Sequence, residues 1–325
     1  MTFRPFPLDG ALLLFDRDSG DNVLLDGPET ASLRLVAPRV VQFGITNQCN
    51  LACAFCSRDV AATSAWTAES AFALLAELAA AGVLEVAFGG GEPWTFRGFA
   101  SLVRRLHAET LLAVNVTTNG LALTRARLAE IAGCYGQIRV SLYDDNGWRE
   151  RVALCADAGA RFGVNYLVTP ARLRELETTV LELVALGCRD VLLLAYNGHD
   201  AALHLSTAEA ADLAARVRLL RGALAGVRLA LDVCWGERLE SVPRLFAKAD
   251  CGAGSELLVV TSDRRVMPCS FHHVSLPFAT AGELLAIWRE RRALLSAPSQ
   301  LPGCARAPGF GLAGAHGLVS IGRSS

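Results

Sequence analysis

From Val40 onward, short runs of Val, Leu and Ile alternate with stretches in which apolar residues recur every three to four positions. The runs predict buried strands, and the spaced pattern predicts amphipathic helices. Strands are expected near 40–46, 84–88, 111–117, 137–142, 163–168, 190–195 and 227–233. Helices are expected between them, near 67–82, 97–108, 124–132, 147–160, 172–186 and 206–222. Several of these helices end at or near a glycine (Gly82, Gly133, Gly159, Gly187), where a left-handed cap costs little. Strict alternation implies parallel strands joined by right-handed crossovers. It favours a complete or partial TIM-type barrel over an open doubly wound sheet, without settling the choice. Upstream, the apolar runs 12–15 and 23–25 flank a polar stretch and predict a hairpin. After Trp235 the rhythm changes. Runs 256–261 and 265–268 predict an antiparallel hairpin turned at Ser262-Asp263-Arg264, followed by an amphipathic helix near 281–295. The expected organisation is a hairpin preface (1–39), an α/β body (40–235), a small α+β unit (236–305) and a disordered Gly/Ala/Ser-rich tail (306–325).

Composition narrows the function classes. The chain has 325 residues, 52% hydrophobic and 19% charged, enough to bury a large core. A net charge of −1 leaves no basic surplus for a phosphate backbone, so no nucleic-acid partner is expected. The longest apolar runs, 11–15 and 191–195, are too short to cross a bilayer, and the first residues lack a signal-peptide core. A cytoplasmic location is therefore expected. There, ten cysteines predict metal ligands or buried thiols, not a disulfide framework. Asn115-Val-Thr117 matches a glycosylation triplet but falls inside a strand pattern.

The segment Cys49-Asn-Leu-Ala-Cys53-Ala-Phe-Cys56 follows the first strong strand. Its spacing lets one loop wrap three thiolates around a single centre, and soft thiolates select zinc or iron–sulfur. Structural zinc takes four protein ligands, and no fourth Cys or His lies in the loop. Three thiolates on a four-iron cube leave one iron open. A structural metal loop and three buried thiols are the competing readings. Phe88-Gly-Gly90-Gly91-Glu92-Pro93 follows the second strand, and Thr117-Thr118-Asn119-Gly120 ends the third. No Lys-Ser/Thr follows the glycines, so this is not a P-loop.

These motifs together resemble the radical S-adenosylmethionine (SAM) superfamily over roughly residues 40–235. The resemblance implies a partial (β/α)6 TIM-type barrel with a small C-terminal α+β twitch/SPASM-like domain. Cys49, Cys53 and Cys56 would hold a [4Fe–4S] cluster with one open iron. Gly90, Gly91, Glu92 and Pro93 would hold the methionyl end of SAM, the carboxylate side helping with its ammonium. Thr118 and Asn119 fall at a corresponding strand end. Phe55 and Leu194 would lie near the adenine, and Ser141 and Asn165 would contact the amino-acid or ribose part. The implied chemistry is reductive cleavage of SAM to a 5′-deoxyadenosyl radical that abstracts hydrogen from a substrate C–H, fed by a flavodoxin- or ferredoxin-type donor.

Cys251…Cys269, Ile287-Trp288-Arg289 and Cys304 resemble the twitch/SPASM auxiliary-cluster module. The usual C-x2-C ending is missing, because Ala307 stands three residues after Cys304. One auxiliary iron–sulfur cluster at most is implied, on Cys251, Cys269 and Cys304, its fourth position open, filled by Cys234 or filled by substrate. Cys134, Cys155 and Cys188 have apolar neighbours and are expected to be buried thiols. Cys234, Tyr143 and Asp232 close strands and are candidate catalytic or substrate-contacting groups. The expected function is maturation of a ribosomally made peptide by crosslinking, epimerisation or oxidation. The rivals are a radical SAM dehydrogenase or related enzyme acting on a small molecule, and a non-enzymatic iron–sulfur electron carrier.

Overall fold

The computed structural model describes residues 3–53, 55–56, 58–239, 242 and 250–306; the expected tail beyond 306 lies outside them. In chain order the elements begin with β1 (Arg4–Leu8), β2 (Ala11–Phe15), β3 (Asn22–Asp26) and β4 (Val40–Thr46). Then come α1 (Ala68–Ala80), β5 (Glu85–Gly90), α2 (Phe99–Glu109), β6 (Ala113–Thr118), α3 (Arg125–Glu130) and β7 (Gln137–Ser141). The alternation continues with α4 (Trp148–Asp157), β8 (Phe162–Val168), α5 (Pro170–Leu173), α6 (Leu176–Ala185), β9 (Asp190–Ala195), α7 (Thr207–Ala223) and β10 (Arg228–Leu231). The last elements are β11 (Leu257–Val260), β12 (Arg265–Met267), β13 (Leu276–Pro277), α8 (Ala281–Glu290) and α9 (Arg292–Leu295). No described helix is long and apolar enough to cross a membrane.

The chain divides into two compact units. One contains Met1–Arg139, Gly252–Ser270 and Val274–Ser296; the other contains Val140–Cys251, Phe271–His273 and Ala297–Ser325. In the first unit β1, β2 and β3 form an antiparallel sheet in that order, so the hairpin expected from the sequence carries a third strand. Pro5 and Pro7 mask that strand in the sequence. Proline is tolerated on it because β1 is an edge with only one neighbour. Phe6, Leu8, Leu13 and Phe15 fill the buried face of this small sheet.

Strands β4, β5 and β6 run parallel, with Phe43 opposite Phe88 and Phe88 opposite Val116. Val41, Phe43, Ile45, Val86, Phe88, Val114 and Val116 are all buried. They alternate with Gln42, Gly44, Ala87, Gly89, Asn115 and Thr117, which occupy the other face, as period-2 geometry requires. The Phe43 ring sits 5.1 Å from Trp66 and 5.7 Å from Phe88. β11 pairs in parallel with β4 on its other side and turns antiparallel into β12. Residues of the expected C-terminal unit therefore share a core with the first barrel strand. The turn includes Arg264 in the left-handed region at φ 59°, its guanidinium 4.2 Å over the Trp66 ring.

In the second unit β8, β9 and β10 are parallel, with Val164 opposite Val191 and Leu193 opposite Leu231. Val164, Tyr166, Val168, Val191, Leu193, Ala195 and Leu229 are buried on one face. The helix expected over 172–186 starts earlier and is broken in two. Thr169 caps α5 by accepting from Arg172 N, and Pro170 sits in its first turn, a placement that suits a missing N–H and a preset φ. α6 then begins at Leu176.

Candidate active site

The site in the first unit is built where the β4 and β5 strand ends meet. Thr46, the last residue of β4, and Gln48, just past it, receive the glycine segment through backbone bonds. Gly91 N donates to Thr46 O at 2.6 Å, and Glu92 N donates to Gln48 O at 2.8 Å. The approach is too close for any side chain. A Cβ on Gly90 would lie 2.3 Å from Thr46 O, and one on Gly91 would lie 2.1 Å from Gln48 O. Gly90 also adopts φ 110°, which strongly favours glycine. Gly89 differs, because a Cβ there would meet nothing within 4 Å. Three consecutive glycines thus do two jobs: two admit the cysteine loop's backbone, and one leaves space open above the strand end.

Glu92 is buried, with 1% of its surface exposed. Its Oε1 accepts from Thr118 Oγ1 at 2.8 Å and Trp94 N at 3.2 Å, and its Oε2 accepts from Asn119 N at 2.8 Å. Burial pushes its carboxyl above the usual range, and the donors from Asn119, Thr118 and Trp94 oppose that shift. The carboxylate expected to face a ligand's ammonium is therefore engaged inside the protein, tying the β5 end to the β6 end. Pro93 opens the 3-10 turn Pro93–Thr95 and is buried. Thr118 and Asn119 fall where the motif placed them, as partners of this brace. Asn119 Nδ2 donates to Asn50 Oδ1 at 2.7 Å and lies 3.6 Å from Cys49 Sγ.

Cys49 and Cys53 are partly exposed and Cys56 is exposed. Cys56 N donates to Cys53 O at 3.0 Å, closing a tight turn. The far end of the loop is pinned: Ser64 Oγ donates to Ile45 O at 2.6 Å, and Trp66 Nε1 to Thr261 O at 2.9 Å. Among the described residues no three His, Cys, Asp or Glu side chains converge as a metal site. The donor set nonetheless suits an iron–sulfur cluster, with three soft sulfurs on one short loop beside a glycine-cleared strand end. Phe55, expected beside adenine, is 39% exposed on the same loop.

In the second unit, Asn165, implied by the resemblance, and Asp232, a strand-end candidate, each show an unusual environment. Register places Asn165, Leu194 and Asp232 on the face opposite the Val164–Leu193 core. Asn165 Oδ1 and Asp232 Oδ1 are both buried with no hydrogen-bond partner. Asp232 Oδ2 accepts from Ala195 N at 3.2 Å. Burial pushes the Asp232 carboxyl up to about 7, against the lowering effect of Ala195 N–H and the Arg238 charge. Ser141 is buried, and its carbonyl accepts from Asn146 Nδ2 at 2.7 Å. Tyr143 N donates to Asn146 Oδ1 at 3.2 Å. Cys234 O and Gly303 O both accept from Arg238 Nη2, which brings the Cys304 segment near the Cys234 turn. Burial works against the Arg306 charge, but the Asp250 ion pair, then Cys251 and Cys304, hold it above its ordinary range. Cys251 and Cys304 thus share one guanidinium, while Cys269 belongs to the other unit. Cys155 and Cys188 are buried, as expected, and burial pushes Cys155 up to about 12, whereas Cys134, also expected to be buried, is partly exposed just past the end of α3.

Comparison with known proteins adds an independent line. Residues 43–165 match the model of the radical SAM superfamily. The chain is 28% identical to the PqqA peptide cyclase of Ruegeria pomeroyi, covering 81% of this chain and 77% of that one. It is 25% identical to the GTP 3′,8-cyclase of Chlorobaculum tepidum, covering 81% and 88%. Among solved structures, Streptococcus suis SuiB bound to S-adenosylmethionine superposes with a TM-score of 0.70 at 16% identity, covering 88% of this chain and 87% of that one. That likeness bears on fold, and it agrees with the partial TIM-type barrel that the resemblance implies. The matched segment contains the three-cysteine loop, the glycine segment and the strand ends through Asn165, and it is over residues 43–165 that the chain is similar to the radical SAM superfamily.

Proposed function

We propose that this enzyme matures a ribosomally made peptide. The observation that carries the proposal is the reach of the sequence similarity: likeness to the PqqA peptide cyclase extends over 81% of the chain, well past the radical SAM segment at 43–165. The fold likeness to SuiB, a protein also solved with its precursor peptide SuiA, fits the same reading. When bound, the [4Fe–4S] cluster and SAM supply a 5′-deoxyadenosyl radical able to take hydrogen from an unactivated C–H; the protein's work is binding and positioning. Cys49, Cys53 and Cys56 would hold the cluster. The space over Gly89 would admit the methionyl group, with Gly90, Gly91, Glu92 and Pro93 fixing the loop that bounds it. Ser141, Asn165 and Leu194 would line the nucleoside side. Tyr143, Asp232 and Cys234 would face substrate, and an auxiliary cluster would draw on Cys251, Cys269 and Cys304. The electron donor would be a flavodoxin or ferredoxin.

The GTP 3′,8-cyclase relative favours a second reading, an enzyme of this superfamily acting on a small molecule. One experiment separates the two. The protein is reconstituted anaerobically, and iron and 5′-deoxyadenosine are measured with dithionite and SAM. The reaction is then repeated with the short peptide encoded nearest the gene, and the peptide is read by mass spectrometry. Loss of two hydrogens, or retained mass with an inverted residue, supports peptide maturation. An unaltered peptide in an enzyme that cleaves SAM abortively rejects it in favour of the small-molecule reading. About eight irons per chain would indicate two four-iron clusters, and about four would remove the auxiliary site.

A further inference from the structure

Arg58 lies two residues past Cys56, and its side chain turns back over β4. A Cβ built on Gly44 would sit 3.3 Å from Arg58 Nη1, so the guanidinium covers the backbone at Gly44. Gly44 lies between Phe43 and Ile45 on the face away from their core, and it pairs in register with Gly89. Gly89 is the glycine with nothing within 4 Å of a built Cβ. The Arg58 charge therefore borders the open space at the strand ends. Its hydrogen bond is a long one, from Nη1 to Asn47 Oδ1 at 3.5 Å, and the nearby Cys56 sulfur also favours its charge. Among the described residues no carboxylate lies within ion-pair distance of it. Arginine keeps its charge and presents five N–H donors in a planar fork. A partly buried guanidinium with one long hydrogen bond and a cysteine sulfur nearby still has donors left for an anion to complete.

We propose that Arg58 binds a carboxylate in the SAM site, the methionyl carboxylate of SAM itself. The planar fork matches a carboxylate's two oxygens, and the space it borders is the one assigned above to the methionyl group. The inference rests on that assignment of SAM to the Gly89 space. It adds a residue that the cysteine and glycine motifs do not contain.

The test uses reconstituted enzyme matched for iron content and for the spectrum of the reduced cluster. Wild type, Arg58→Met and Arg58→Lys are compared by equilibrium dialysis against SAM and decarboxylated SAM. Arg58→Met should bind SAM about 10- to 100-fold more weakly, the range of one charge-assisted pair. It should bind decarboxylated SAM as wild type does, and Arg58→Lys should fall between. Unchanged SAM affinity overturns the proposal. Equal loss for both ligands also overturns it, assigning the charge to the cysteine loop instead. Wild type that carries full iron yet binds no SAM would refute the cofactor assignment itself, a separate failure.

Discussion

The three consecutive glycines offer the sharpest check on how the site is built, because the same substitution should have different consequences at each. At Gly91 an alanine methyl would sit 2.1 Å from Gln48 O and 2.5 Å from Asn47 O. Carbon–oxygen contacts relax only at about 3.3 Å, so the backbone must open by roughly 1 Å. That opening breaks the Gly91 N–Thr46 O and Glu92 N–Gln48 O bonds. Leaving such groups unpaired costs about 1–3 kcal/mol each, or roughly 2–6 kcal/mol for the two bonds together. Gly90→Ala suffers a similar overlap with Thr46 O and adds the strain of φ 110°. Both costs are a large share of a domain's stability of about 5–15 kcal/mol. Gly89→Ala meets nothing, and the narrower unfolded ensemble should leave it neutral or about 0.4–1 kcal/mol more stable. Its methyl nevertheless enters the space assigned to SAM. Urea denaturation of the three apoproteins should therefore rank Gly89→Ala at or above wild type and the other two well below. Dialysis of SAM against the reconstituted enzyme should show Gly89→Ala weakened despite its intact fold. If Gly91→Ala unfolds at the wild-type midpoint, the close approach is not a constraint. If Gly89→Ala binds SAM normally, the open space is not where the cofactor lies.

Three other outcomes follow from the same geometry. Glu92→Ala should leave the Thr118, Asn119 and Trp94 donors without their acceptor and cost at least about 3 kcal/mol, read from the urea midpoint. Glu92→Gln keeps the shape and removes a buried charge, so its loss should be smaller and should shrink as pH rises through the folded-state titration of Glu92. Asp232, pushed up to about 7, favours the fold while protonated. Its contribution is present below the ordinary carboxylate range and disappears as pH rises through about 7. Asp232→Asn should therefore be more stable than wild type at pH 8, by about 1–3 kcal/mol, with the gap narrower at pH 5 and closing only below the ordinary carboxylate range; equal gaps at pH 8 and pH 5 would refute the burial argument. Replacing Cys49, Cys53 and Cys56 together by Ala should abolish 5′-deoxyadenosine formation while sparing iron held elsewhere, and Cys251→Ser should lower iron without touching the first cluster.

The alternating body was legible in the sequence because each element carries its own period. Strands 40–46 and 190–195 and the glycine-terminated helices needed no knowledge of their neighbours. What escaped depends on partners distant in the chain. β1 was hidden by Pro5 and Pro7, whose tolerance comes from its edge position. The parallel pairing of β11 with β4 joins residues more than two hundred positions apart and leaves no trace in either segment's pattern. The cysteine and glycine motifs were visible because their chemistry fixes spacing. The direction of a side chain is not fixed that way. Glu92 is expected from the motif to face a ligand, and only the structure shows that its carboxylate also braces two strand ends. Arg58, one of many arginines in the sequence, stood out only once its guanidinium was found over Gly44.

Within the second unit, two buried acceptors remain unanswered. Buried polar atoms are almost always paired, and each exception costs about 1–3 kcal/mol. Asn165 Oδ1 and Asp232 Oδ1 are two such exceptions on one sheet face, flanked by partly exposed Leu192 and Leu194. The opposite face, from Val164 to Leu229, carries only well-packed apolar side chains and Tyr166, whose hydroxyl donates to Arg172 O at 2.6 Å. A packing defect would have no reason to confine itself to one face. Acceptors kept open on the face that carries Leu194 leave it able to receive N–H or O–H donors. The opposite face, packed with apolar side chains, holds the fold.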